Sequence, residues 1–120
     1  MAIDPQGRDL KQFLQQDPQA PVVMLNLLRF RDGGQKTYEE YLRHFRPLAE
    51  ARGAEVLYYG HCGTALVADD QAWDAVLLVR YPTRRSFSEM VADPNYQAGA
   101  HLRSRSLIEA VLQPTMEATV

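Results

Sequence analysis

The chain has one cysteine, Cys62, too few for a disulfide framework or a thiolate zinc site, and a lone thiol fits a reducing, cytoplasmic setting. Charge of one sign is also missing: 13 basic residues stand against 15 acidic ones, for a formal net charge of −2. That balance gives no electrostatic case for nucleic acid or an anionic membrane. No apolar run approaches the length needed to span a bilayer. Met1 to Leu10 lacks a basic region followed by an apolar core, so no secretory leader is expected. There are three histidines, none at a short ligand spacing from another, so no metal site is expected. Phosphate loops, nucleotide fingerprints, nucleophile elbows and EF-hands are not found, and no cofactor is expected.

What is present is ordinary for a globular protein. At 120 residues, with 46% hydrophobic and 23% charged residues, the chain is sized for one domain with its own core. The run Val22-Val23-Met24-Leu25-Asn26-Leu27-Leu28-Arg29-Phe30 has strand length, opens after Pro21 and closes at Asp32-Gly33-Gly34. Apolar residues fall on both of its faces, with Asn26 on one and Arg29 on the other. Before it, residues 1–20 form an extension in which Leu10, Phe13 and Leu14 recur at helical spacing.

After it, Thr37-Tyr38-Glu39-Glu40 has the form of a capping box. The helix so opened carries Tyr38, Tyr41, Leu42, Phe45, Leu48 and Ala49 on one stripe, with Glu39 and His44 turned away. Pro47 predicts a kink rather than a stop, because the stripe continues past it, and Gly53 predicts the C-cap. Glu55 to Val67 reads as one long strand, bent near Gly60 and Gly63, with a hairpin turn at Asp69-Asp70-Gln71. Trp73 to Tyr81 is the next strand, with Trp73, Ala75, Leu77, Val79 and Tyr81 on one face. A helix then starts at Pro82-Thr83, and Asp93-Pro94 breaks it and caps another. Ser106 to Gln113 is the last strand. The order after the extension is β-α-β-β-α-β, an α+β, ferredoxin-like arrangement with one four-stranded antiparallel sheet over residues 21–114; residues 115–120 are a tail. Helices cover only one sheet face, yet strands 22–30 and 73–81 are apolar on both. A second copy packed against the outer face would bury the rest, which predicts a homodimer.

The stretches Asn26-Leu27-Leu28-Arg29-Phe30, Tyr38-x-x-Tyr41 and Asp93-Pro94-Asn95-Tyr96-Gln97 resemble domain-of-unknown-function family thirteen-thirty, whose members are small bacterial proteins of the dimeric α+β barrel superfamily. The resemblance spans Pro21 to Pro114. It implies a ferredoxin-like monomer and a barrel-forming dimer, and no established reaction. Superfamily relatives include cofactor-free monooxygenases, haem-degrading monooxygenases, isomerases and stress-response proteins. Asn26, Trp73 and His101 are similar to the asparagine, tryptophan and histidine of the haem-degrading relatives, but their spacing argues against haem here.

The polar residues that stand out each read in two ways. Asn26 either orients a ligand carbonyl in a pocket or is a structural amide bonded to backbone. Arg29 forks a ligand carboxylate, or snorkels to the surface or pairs with an acid across the dimer. His61, beside Gly60, is a candidate general base in room left by the glycine, or an ordinary strand histidine. Tyr38, Tyr41, Tyr58 and Tyr59 offer phenols to a pocket, although Tyr38 and Tyr41 read more simply as the contact of helix with sheet, and Arg103 offers a cation for an anionic group. His44 reads as solvated and His101 as a cation favoured near a helix end. The leading expectation is a cytoplasmic dimeric barrel that binds a small organic ligand between sheet and helices. Cofactor-independent oxygenation or isomerisation is one use of such a pocket, with His61 and Asn26 as catalytic candidates. The alternative is a non-enzymatic binding or stress-response dimer.

Overall fold

A computed structural model describes residues 2–120. Its element order is α1 (Gly7–Gln15), β1 (Val22–Phe30), α2 (Gly34–Glu50), β2 (Glu55–His61), β3 (Ala75–Tyr81), α3 (Arg84–Ala92), α4 (Pro94–Ser106) and β4 (Leu107–Thr115). The strands form one antiparallel sheet in the order β2-β3-β1-β4, the ferredoxin-like topology expected from the element order. β1 lies in the interior of the sheet, which accounts for its near-continuous apolar run. Val22, Met24, Asn26 and Leu28 face the helices and are buried, and Val23, Leu25 and Leu27 on the outer face are half-buried.

The core lies between that inner face and α2, α3 and α4. Val22, Leu28, Ala75, Val79 and Leu107 meet Tyr38, Phe45, Ala49, Phe87 and Met90 there. The stripe of α2 is as its spacing predicts, and the helix runs through Pro47. α2 begins earlier than the capping box suggests. Gly33, at φ 72°, turns the chain into the helix at Gly34, which leaves Thr37 inside it without a capping role. A positive φ of this kind suits glycine alone at low cost. The capping box of the chain is at Thr83 instead, where Ser86 N–H donates to Thr83 Oγ1 at 2.9 Å and Thr83 N–H donates to Ser86 Oγ at 3.3 Å. Asp93 caps α4 with Pro94 at its first position, as read from the sequence. Asn95 N–H and the Arg52 guanidinium both bond to the Asp93 carboxylate and hold its pKa below the usual aspartate value.

Several strand limits differ from the sequence reading. β2 ends at His61, and residues 62–74 are a loop. Leu66 and Val67, expected in a long strand, are 100% and 94% exposed. The bulge of β2 is between Val56 and Tyr58 rather than at the glycines. Trp73 precedes β3 and lies under the Arg29 guanidinium, 5.3 Å from the ring centroid, because the β1–β3 ladder stops at Leu28 opposite Ala75. β4 extends two residues further than expected, through Pro114. It is an edge strand, where a proline removes no needed ladder bond. A register shift against Arg29 and Phe30 lets Leu107 and Ala110 both face the helices.

The N-terminal helix forms as predicted. It is tied down chiefly by Arg84, whose Nη1 donates to the Phe13 carbonyl at 3.3 Å and whose guanidinium covers the Phe13 ring at 4.5 Å. Ahead of α1, the Ala110 amide donates to the Ala2 carbonyl at 2.9 Å, so the start of the described chain runs beside β4.

Candidate functional site

A cavity of about 350 Å³ lies between the inner sheet face and the helices. This size suits a small organic molecule. Its floor is β1 and β3, with Met24, Asn26, Leu77 and Val79. Tyr38, Tyr41 and Phe45 of α2 form one wall, and Phe87, Met90, Tyr96 and Arg103 of α3 and α4 form another. Asp4, Pro5 and Leu10 of the N-terminal segment complete it. The polar groups on this otherwise apolar lining come from five separate parts of the chain, and the fold alone brings them together.

Asn26 lies on the floor, 6% exposed, and its Nδ2 donates to the Leu77 carbonyl of the facing strand at 3.3 Å. The amide is bonded to backbone, and the residue also belongs to the cavity lining. Tyr38 is fully buried, and its hydroxyl has no partner. Tyr41 and Tyr96 meet at their hydroxyls, 2.8 Å apart. Arg103 is 6% exposed. Its Nη1 donates to the Ile3 carbonyl at 2.6 Å and to Asp4 Oδ1 at 3.0 Å, while its Nη2 is buried without a partner.

Burial pushes the Tyr38, Tyr41 and Tyr96 phenols above the ordinary tyrosine pKa, and nearby Arg103 lowers each only in part. All three stay protonated at neutral pH. They are hydrogen-bond donors, suited to a carbonyl or an anionic oxygen, and are poor bases. Among the described residues, Asp4 is the only carboxylate on the lining, and no histidine lies on it.

Of the six residues singled out in the sequence, Asn26, Tyr38 and Arg103 converge on the cavity. Arg29, Tyr58 and His61 lie outside it. Arg29 is on the outer sheet side, where it donates to the Ala72 carbonyl at 3.0 Å and pairs with Glu109 at 3.1 Å. Tyr58 is 57% exposed and opposite Leu78, on the outer face. A side chain at Gly60 would collide with the Tyr58 phenol, so the room beside that glycine is already filled. His61 is exposed at the β2 end, 3.2 Å from the Glu39 carboxylate, which also accepts from Tyr59 at 3.1 Å. Glu39 thus faces β2 instead of open solvent. His44 is not solvated as expected: its ring packs against Gly99 of α4, and its Nε2 is buried without a partner. Trp73 lies outside the cavity with Arg29, and His101 is exposed on α4, so neither joins Asn26.

The sequence reading missed Asp4 and the hydroxyl pair. Asp4 reaches Arg103 across 99 positions of chain, and nothing local to residue 4 signals that. Tyr41 reads from sequence as a phenol for a pocket or a helix–sheet contact and Tyr96 as an apolar position, and period alone does not say that their hydroxyls meet.

Residues 26–112 match a domain of unknown function, DUF1330. The chain belongs to this family. Its fold is also that of the RPA0582 protein of unknown function from Rhodopseudomonas palustris, at 28% identity and TM-score 0.89, covering 98% of each chain. The methylated form of RPA0582 aligns at 30% identity and TM-score 0.90, over 98% of this chain and 96% of the other. More distant structures share the fold alone. A hydroxynitrile lyase from Passiflora edulis has 14% identity and TM-score 0.66, over 86% of this chain and 99% of its own. A putative antibiotic biosynthesis monooxygenase from Bacteroides thetaiotaomicron has 12% identity and TM-score 0.61, over 85% and 93%. No curated protein matches the DUF1330 chain. Among the described residues no helix is long and apolar enough to cross a membrane, and no group of three or more metal-ligating side chains occurs.

Proposed function

We propose that this DUF1330 protein binds a small organic molecule with an apolar body and a polar handle in the cavity between sheet and helices. The observation that carries this reading is an apolar cavity of about 350 Å³ whose lining residues include Tyr38 and Arg103, each of which has a buried donor without a partner, the Tyr38 hydroxyl and Arg103 Nη2. An unmade buried hydrogen bond costs about 1–3 kcal/mol. A ligand acceptor that reached either donor would recover that cost. Binding is favoured over catalysis because the lining holds phenols and a guanidinium but only Asp4 as a base. Cofactor-independent isomerisation or oxygenation is the second use of the same cavity, supported by these neutral phenols and the cation, which suit a developing oxyanion. In that use Asn26 orients the substrate, and His61 would need a path from its place beside Glu39.

The functional unit in this proposal is a homodimer, formed through the outer sheet face and working where the chain is made, in the cytoplasm. The support is the half-buried row Val23, Leu25 and Leu27, flanked by Val76 and Leu78.

Asn26→Leu tests the ligand role. It removes the amide and keeps similar bulk. The unfolding free energy should change by less than about 1 kcal/mol, because only one long bond to a strand carbonyl is lost. The thermal shift given by small aromatic and keto-acid compounds should fall. A loss of about 1–3 kcal/mol with the thermal shift intact would make Asn26 purely structural.

A further inference from the structure

Arg103 is a cation sealed in the protein with half of its fork in use. One guanidinium nitrogen serves Ile3 and Asp4 from the N-terminal segment, and the other has no partner. A guanidinium presents its donors in a planar fork that matches a carboxylate at two points. Tyr38 adds a second unused donor, and Arg103 acts electrostatically on Tyr38, Tyr41 and Tyr96 together. The lining is therefore rich in donors around one positive charge. Away from that end it is apolar, with Met24, Phe45, Phe87 and Met90.

The charge balance narrows the choice. Among the described residues, Arg103 and Asp4 are the one basic and the one acidic side chain on the lining. A cationic ligand would meet Arg103 in a medium that screens poorly. A dianion would leave charge unmatched by a single guanidinium, at a high desolvation cost. A monocarboxylate matches it, but only if Asp4 does not also stay. Asp4 is built to leave. Its side chain is 53% exposed while that of Arg103 is 7% exposed, so the carboxylate can turn into water while the cation cannot. Its other anchor is the Ser104 hydroxyl at 2.9 Å, itself near the surface.

We propose that the ligand of this cavity is a small monocarboxylate with an apolar body, and that its carboxylate replaces Asp4 on Arg103 as it enters. This rests on the cavity being a ligand site. The Asp4 carboxylate then acts as a resident competitor, seated on Arg103 when the cavity is empty and turned into water when the ligand arrives, while the bonds to the Ile3 and Ala2 carbonyls keep the N-terminal segment in place.

The test uses the full chain and a matched pair of probes, 2-naphthoate and its neutral isostere 2-naphthamide, titrated by calorimetry. Naphthoate should bind at least about tenfold more tightly than naphthamide. Asp4→Asn should tighten naphthoate by about tenfold and leave naphthamide unchanged. Arg103→Met should abolish the preference for naphthoate. Equal binding of the two probes to the wild-type chain would overturn the carboxylate assignment while leaving a ligand cavity in place. Unchanged or weaker naphthoate binding in Asp4→Asn would overturn the exchange. Binding of neither probe to wild type or Asp4→Asn would overturn the cavity reading itself. The first two comparisons need no substitution at Arg103, so they stand if Arg103→Met does not fold.

Discussion

Phe45→Ala should lower the free energy of unfolding by about 3–5 kcal/mol, as for other large aromatic side chains removed from a packed interior. Phe45 is 3% exposed on the buried stripe of α2 and stacks on Tyr41, with ring centroids 5.7 Å apart. Glu40→Ala, one residue before Tyr41 and exposed, should change stability by no more than about 0.5 kcal/mol. Urea denaturation of both variants measures the contrast. Comparable midpoint shifts would mean that α2 is packed through a different face.

Leu25→Arg should split the proposed dimer. Leu25 is on the outer face of an interior strand, opposite Leu78 of β3 and Gln113 of β4. A charge placed in a face-to-face sheet interface loses its water without gaining a partner, a penalty of about 3–5 kcal/mol. At 1.4 kcal/mol per tenfold, dissociation should rise by roughly 10² to a few times 10³-fold. The fold of each subunit should survive, because Leu25 points away from the helices that cover the core. Sedimentation velocity at low micromolar concentration should show a dimer for the wild-type chain and a monomer for the variant. A wild-type monomer with native structure would remove the basis for a barrel formed by two sheets.

The sequence carried most of the architecture because the fold is written in periods. Apolar runs of strand length bounded by turn residues marked Val22–Phe30 and Ala75–Tyr81, and the 3.6-residue stripe of α2 marked which face goes inward. The misreadings fall where geometry replaces period. Gly33 opens α2 by a left-handed turn that competes with the Thr37 box, and loop 62–74 carries Leu66 and Val67 that look like strand but have no ladder to join. The site was legible in outline only. Asn26 stood out as a polar residue in an apolar strand, and Arg103 as a cation late in the chain. What could not be read was contact across the chain: Asp4 on Arg103, Tyr41 on Tyr96, and Tyr58 filling the space over Gly60. His61 drew attention through its neighbouring glycine. The strand register instead sets it opposite Ala75, at the open end of the sheet beside Glu39.

The central claim is that the space beneath Tyr38 and Arg103 is a ligand site and not merely imperfect packing. Backbone amide NMR shifts, recorded on the wild-type chain against a library of small aromatic and carboxylate fragments, test it most directly. The shifts should cluster at Asn26, Leu77, Tyr38 and Arg103, and should disappear in Ala100→Phe, which places a ring in the cavity from α4 while the rest of the spectrum stays native. Shifts confined to the outer sheet face, or the same shifts persisting in Ala100→Phe, would contradict it.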